Sequence, residues 1–531
     1  MKTAERDTVE QAARPDRLLA VLLSMAMFVL VVDTSLMNVS ISAVVRDLDA
    51  TVSGVQGTIA LEALVSAAFI LIGSKIGDLF GRRRAYVLGL LGYGAGAVAM
   101  TLAQDLRAVI IFWAVIGGIG ASLLLPAMQS LVHGNFEGSA QKQVYAMVGA
   151  AAAIAAAVGP LLGGFITTYM SWRVGFLLEA VIIVVVLSGV RRIKDAPYTG
   201  PREIDLVGAV LSVVGMGGVV LSILVWQEGG ESVAALMLLG LVGLALLVTW
   251  LRRRKRHGQV TLIDPDLFSL PHFRLGISSQ LLQQVALGGA MIVLPIYTQL
   301  VLGYNAMLAG LAIAPLSLSM FAVALYAGKK AKELRSSRVI NLGFLLVTVG
   351  LALLIPVVPR ATSGWALVVP LVIAGCGLGL LVSQLNNYTL SPISEERVSE
   401  AAGVNSAGGS FGLSFGLAFA GAIMLAVLSL SFTTMANDST VLSASEKDQV
   451  AQKLEDDAQI MSTAQLEELL SDAPEAKAAE IVQINDGARD VAVRVAILVP
   501  VLAGAIGFVV SLRMRRLGDL GPSSHEDMLM G

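Results

Sequence analysis

Few residues of this chain can do chemistry, and the ones that stand out are acids set inside apolar runs: Asp33 in the segment 18–45 and Glu62 in the segment 55–77. A carboxylate within a bilayer is costly and normally faces a wet cavity or a partner, so each is a candidate functional group. Asp33 lies about fifteen residues from the start of its run and Glu62 about fifteen from the end of its own, both counted from the expected cytoplasmic side, a depth of about 22 Å at 1.5 Å per residue on neighbouring antiparallel helices. Two carboxylates at one depth can share a cavity and exchange a proton for a cationic substrate. The alternatives are a hydrogen bond from Ser35 or a neighbouring helix to Asp33, and a hydrated interfacial place for Glu62. Glu179, in the segment 173–190, is a weaker candidate of the same kind, equally readable as an interfacial residue close to Arg173. Gln280, Gln283 and Gln284 recur at i, i+3 and i+4 in the segment 275–300 and form a polar face that either glues helices or lines a cavity.

Other chemistries are excluded by what is missing. His133, His257, His272 and His525 are scattered without metal-ligand spacing, and Cys376 is the single cysteine and cannot pair within the chain. No phosphate-binding loop pattern exists, which excludes an ATP-driven pump built from this chain alone. We expect no metal, no cofactor, no nucleic-acid partner and no enzymatic activity.

The elements that position these acids are helices. Of the residues, 56% are hydrophobic and only 14% charged, against about 25% charged in soluble chains. Apolar segments of about twenty residues, the length a bilayer requires, recur fourteen times and are separated by short polar stretches. The first, 18–45, is too long for a signal-peptide core and is expected to remain as a span. Lys and Arg cluster after even-numbered segments, as at Arg82 to Arg84 and Arg252 to Arg256. With both termini cytoplasmic, only Arg46, Arg107, Arg173, Arg360, Lys447, Lys453, Lys477, Arg489 and Arg494 of the 37 basic residues lie outside.

The loop reading G-S-K-I-G-D-L-F-G-R-R-R from Gly73 has an echo 255 positions on, where Gly328, Glu333, Leu334 and Arg338 meet Gly73, Asp78, Leu79 and Arg83. Equivalent loops in two six-span halves are the mark of an internal transporter repeat. The reading is therefore all-α and polytopic: a tail 1–17, a six-helix bundle 18–194, an inserted pair 203–256, a cytoplasmic linker 257–274, a second bundle 275–512 and a tail 513–531. An acidic external loop, 433–487, interrupts the second bundle. It carries twelve acids and three lysines and is either a solvated cap or a binding domain. We expect it to be dispensable for the transport step.

Gly73, Asp78, Gly81, Arg82 and Arg83 match the loop signature of the major facilitator superfamily. Three further stretches resemble its fourteen-span drug:proton antiporter branch: D-T-S-L-M-N-V from Asp33, which includes Asn38; A-A-A-V-G-P-L-L-G-G from Ala155; and P-I-Y-T-Q-L-V-L-G-Y-N from Pro295. The resemblance implies two six-helix bundles with two inserted helices. It also implies a gating latch at the Gly73 loop, and a bend that limits leak at Gly159, Pro160, Gly163 and Gly164. The substrate cavity would hold Asp33, Glu62, Asn38 and the three glutamines. The branch usually has an arginine in the fourth span; Ala114 stands there instead, and Glu62 is the proposed substitute.

The implied function is proton-coupled export of small amphipathic or cationic compounds by alternating access, carried out by a monomer in a bacterial inner membrane. An endogenous lipid or metabolite as cargo is the first alternative, marked by changed envelope lipids in cells lacking the protein. A non-transporting sensor or scaffold is the second, and a flux measurement in liposomes separates it.

Overall fold

The computed structural model describes residues 16–136, 138–195, 203–227, 230–330, 335–393, 397–443, 447, 466, 470 and 474–519. Residues 1–15 and 520–531 of the tails, most of the acidic loop, and Glu333 and Leu334 of the echoed loop lie outside the described residues.

Among the described residues, fourteen helices are long and apolar enough to cross a membrane. In chain order they are α1 (Arg17–Asp47), α2 (Val52–Phe80), α3 (Arg82–Leu102), α4 (Leu106–Val132), α5 (Gly138–Tyr169), α6 (Trp172–Ser188), α7 (Leu206–Gln227) and α8 (Val233–Arg256). The second half continues with α9 (Pro271–Val301), α10 (Ala306–Lys329), α11 (Ser336–Val357), α12 (Gly364–Leu390), α13 (Val398–Asp438) and α14 (Glu475–Leu517). Helices satisfy their own backbone groups, which is what a lipid solvent demands. Short polar side chains start them: the Asp16 carboxylate accepts from the amides of Leu18 and Leu19 at 3.1 Å, and the Asn305 side chain accepts from Leu308 at 2.9 Å.

The packing repeats. In the first half α1 packs on α5 and α6, α2 on α4, and α3 on α4 and α6. In the second half α9 packs on α13 and α14, α10 on α12, and α11 on α12 and α14, which is the same scheme eight helices later. The two bundles meet through α2 on α13 and α5 on α10. Small residues allow these approaches, since helices in lipid gain from close van der Waals contact. A Cβ built on Gly120 would sit 2.7 Å from the Tyr93 amide, and one on Gly377 2.6 Å from the Gly343 carbonyl oxygen, at corresponding crossings.

The inserted pair lies on one flank. Its first helix, α7, touches both α2 and α13, whereas only 11% of the apolar window of α8 is buried, against 78% for α2. Asp205, just before α7, is buried and ties the pair to the following linker: it accepts from the Trp250 indole at 2.9 Å and from the Leu262 amide at 3.3 Å.

The faces are defined by cross-links. On the face where α1 begins, Arg192 donates to Asp16 at 3.3 Å and the Lys194 backbone exchanges two hydrogen bonds with the Asn135 side-chain amide. On the opposite face Asp47 pairs with Arg173, which also donates to the Ala103 carbonyl. The last helix starts earlier than the apolar run 491–512 suggests, because residues 475–490 continue it with good helix formers and bury Ile484 and Asn485.

Candidate functional site

Asp33 sits in the middle of α1, only 1% exposed. Its carboxylate accepts from the Tyr93 hydroxyl on α3 and from the Trp113 indole N–H on α4 at 2.8 and 3.0 Å. Of the two local alternatives, the neighbouring helices hold it; Ser35 instead donates to the Val31 carbonyl at 3.2 Å. Trp113 lies in a π-helical stretch, Val109–Gly117, within α4. Such stretches are rare and tend to mark functional sites. The neutral indole donor stands one residue before Ala114, where the antiporter branch carries its arginine.

Glu62 on α2 is 8% exposed, so the hydrated interfacial alternative does not hold, and it lies within electrostatic reach of Asp33. Of the two readings of Glu179, the interfacial one does not hold. The residue is 3% exposed inside the first bundle and also within reach of Asp33, while Arg173 turns to Asp47 instead. The interfacial reading failed because sequence distance from the end of a run does not say which face of the helix a residue takes. Tyr93 feels all three acids.

Two residues of this cluster, Tyr93 and Trp113, were not singled out by sequence, and Glu179 only as a weaker candidate. The only signal for Tyr93 is a lone phenol in the glycine- and alanine-rich stretch 89–97. The π turn that sets Trp113 has no sequence signature here.

Other expected residues fall elsewhere. Asn38 is buried, with its amide nitrogen on the Thr34 carbonyl at 2.9 Å and its oxygen unpartnered. Five residues on from Asp33, it points about 140° round the helix, at 100° per residue. Gln280 and Gln284 lie against α13 at Gly409, within the second bundle, and Gln283 is buried with its oxygen unpartnered. Among the described residues, no hydrogen bond or electrostatic contact joins these glutamines to Asp33.

At the loop signature, a Cβ on Gly73 would lie 2.4 Å from the Ser122 carbonyl oxygen, so glycine is what lets α2 and α4 touch. Gly81 takes φ +101, a conformation other residues rarely adopt, in the turn between α2 and α3. Asp195 caps the start of α3 by accepting from the Arg83 amide at 3.3 Å. Arg82 and Arg83 open that helix; the Asp78 side chain lies outside the described residues.

The Gly159 stretch is a two-sided contact. Cβ atoms on Gly159 and Gly163 would meet Ser35 and Leu36 of α1 at 2.6 and 2.8 Å, while one on Gly164 would meet the Ala306 carbonyl of the other bundle at 2.4 Å. Pro160 closes on Gly310 of α10 in the same way. Hydrogen bonds join the bundles directly, among them Gln299 to the Val39 carbonyl at 3.2 Å, Met307 N–H to Thr168 at 2.9 Å, and Ser414 to the Ala60 carbonyl at 2.6 Å. The first two border a polar cavity of about 400 Å³ near the opposite face, lined in part by Arg46, Thr167, Tyr304 and Asn305.

Two repeated helical bundles, a membrane-length helix count and acids buried in one bundle define a polytopic transporter. The chain belongs to the Major Facilitator Superfamily, whose family model matches residues 23–417. It is 25% identical over 417 residues to a probable actinorhodin transporter of Streptomyces coelicolor, covering 76% of this chain and 72% of that one. It is 29% identical over 407 residues to the puromycin resistance protein pur8 of Streptomyces alboniger, covering 73% and 78%. The multidrug export protein EmrB of Escherichia coli is 25% identical over 400 residues, covering 73% and 76%. Among solved structures, a bacterial homologue of the human lysosomal transporter Spinster, inward-facing and unoccupied, shares the fold with a TM-score of 0.62 at 12% identity, covering 96% and 100%. The peptide transporter POT in complex with sulfate does so at 0.59 and 15%, covering 96% and 97%. The protein is a multi-pass protein of the bacterial inner membrane.

Proposed function

We propose that this chain exports small amphipathic or cationic compounds in exchange for protons by alternating access, with Asp33 as the coupling acid and the face where α1 begins in the cytoplasm. The observation that carries the reading is the Asp33 carboxylate, buried at mid-helix and held by donors on two other helices rather than by a cation. A charge at that depth costs roughly 3 kcal/mol, and two hydrogen bonds to it, at about 1.5–3 kcal/mol each, offset that cost. Protonation removes the charge these donors serve and so weakens the tie of α1 to α3 and α4. Glu62 adds like-charge repulsion that makes the ionised pair responsive to a second positive charge, whether a proton or a cationic substrate.

The motion that follows would be rocking of the two bundles about α2 with α13 and α5 with α10. Opening toward the outside would part Met307 from Thr168 and Gln299 from Val39. The printed descriptions of the relatives, an antibiotic transporter, a puromycin resistance protein and a multidrug exporter, support a cargo of this kind. Cytoplasmic placement of the termini is supported by the distribution of Lys and Arg. The deciding experiment is substrate-dependent proton flux in proteoliposomes over a chemically varied panel that includes tetraphenylphosphonium. Transport with no accompanying proton movement for any compound would refute the coupling.

A further inference from the structure

Glu179 is a buried acid with no place in the scheme above. Both of its carboxyl oxygens are sealed, and neither has a hydrogen-bond partner. Facing it are Asp33 from α1 and Tyr93 from α3; α5, which also packs on α6, brings no ionisable group to it among the described residues. Its own helix carries Arg173, which is engaged with Asp47 at the opposite face. No lysine, arginine or histidine among the described residues acts on Asp33, Glu62 or Glu179. An ionised carboxylate buried without a donor is the most costly state available to such a group. Asp33 accepts two hydrogen bonds and Glu179 none, so the donors place the negative charge on Asp33 and leave a proton on Glu179.

Depth gives the arrangement a direction. The Trp172 indole donates to Asp47 at 3.0 Å and Arg173 to the Ala103 carbonyl, so the ends of α1, α3 and α6 at the opposite face are level. At 1.5 Å per residue, Glu179 lies about 10 Å in from that level, Tyr93 about 14 Å and Asp33 about 21 Å. Helical side chains lean toward the N-terminus of their own helix, and for Tyr93 that is inward, toward Asp33. Phe176, three residues nearer that face on the same helix as Glu179, makes edge-to-face contacts with Trp172 at 6.0 Å and with Trp113 at 6.3 Å.

We infer that Glu179 is a second proton-binding site, the entry end of a relay that carries protons from the opposite face through the Tyr93 hydroxyl to Asp33. This rests on the proposed proton coupling. In the transfer the Glu179 O–H bond breaks as the Tyr93 oxygen takes that proton, and the phenolic O–H bond breaks as an Asp33 oxygen takes the other. The negative charge moves from Asp33 to Glu179, which is then reprotonated from the opposite face when the aromatic contacts part.

The test reads the proton without a substrate, by pH-difference infrared spectroscopy of the full chain in detergent, with isotope-labelled glutamate to separate Glu from Asp. The parent should show a protonated glutamate band at neutral pH that Glu62→Gln retains, Glu179→Gln abolishes and Asp33→Asn shifts. A parent without the band, or a Glu179→Gln variant that keeps it, overturns the inference. Should Glu179→Gln fail to fold, Glu179→Asp takes its place, since it moves the signal from the labelled to the unlabelled set. In proteoliposomes driven by a pH gradient, Glu179→Gln should lower the maximal rate of tetraphenylphosphonium transport roughly tenfold with KM within about twofold, because recharging rather than binding is impaired. An unchanged maximal rate also overturns it. Failure of the parent to move protons with any substrate would instead sink the coupling, and the infrared band would still report on Glu179.

Discussion

Asp33 accepts from side chains on two other helices, and an amide at that position still accepts through its oxygen, so Asp33→Asn should insert and fold like the parent. It cannot take up and release a proton. We therefore expect proton-coupled transport to be abolished at equal membrane abundance; full transport activity would remove Asp33 from the mechanism. The acid itself is legible in sequence because an aspartate inside an apolar run has few innocent explanations. Its donors are not, because Tyr93 and Trp113 lie 60 and 80 positions away and meet it only when α3 and α4 pack against α1.

At the scale of elements, the glycines of α5 work in two directions, toward α1 through Gly159 and Gly163 and toward α10 through Gly164. Gly164→Ala places a methyl group against the Ala306 carbonyl across the bundle interface, an overpacking that costs about 1–3 kcal/mol in the state seen here. It should bias the carrier toward states in which α5 and α10 separate. Maleimide labelling of an Asn305→Cys probe in a Cys376→Ser background should then rise; equal labelling would show that the contact relaxes at no cost. The linker supplies a second element with a testable response. Burial disfavours the charge on Asp264, but the Lys255 ammonium at 2.8 Å, the Asp266 amide and Arg397 outweigh it and hold this carboxyl below the ordinary carboxylate range. Its backbone amide donates to Glu400 of α13 at 2.7 Å. The stabilisation is present above the usual carboxylate value and is lost as pH falls through the lowered one. Limited proteolysis within 257–270 should therefore stay slow at neutral pH and accelerate in strong acid. Asp264→Asn should be cleaved faster at neutral pH, and parental resistance in that variant would rule out a strap here.

For the whole molecule, the two halves share a packing scheme but not their chemistry. Shifted by 255 positions, Asp33 meets Gly288, which packs on Leu413, and the tight Gly73 meets Gly328, which has open space around it. On the proposed coupling, proton chemistry would be concentrated in the first bundle, with the second as the moving partner. The acidic loop lies outside this scheme, although its end from Glu475 onward is part of α14, so a deletion must stop short of Pro474. Replacing 441–472 by a short Gly/Ser linker should leave substrate-driven flux measurable in proteoliposomes. Lost flux with normal insertion would make the loop a gate or a capturing cap.

Hydrophobic length and loop charge are local properties, so the fourteen spans, the repeat and the glycines that must touch something could be read from the chain alone. So could Asp33, because the cost of burying a charge depends on its surroundings in sequence as much as in space. What the glycines touch, which bundle takes the glutamines and which acids gather around Asp33 depend on helix rotation and partner choice. Neither leaves a trace in an apolar run, where every face looks alike. Glu179 shows the difference most plainly: its sequence neighbours place it beside Arg173, and packing gives Arg173 to Asp47 and Glu179 to the buried cluster.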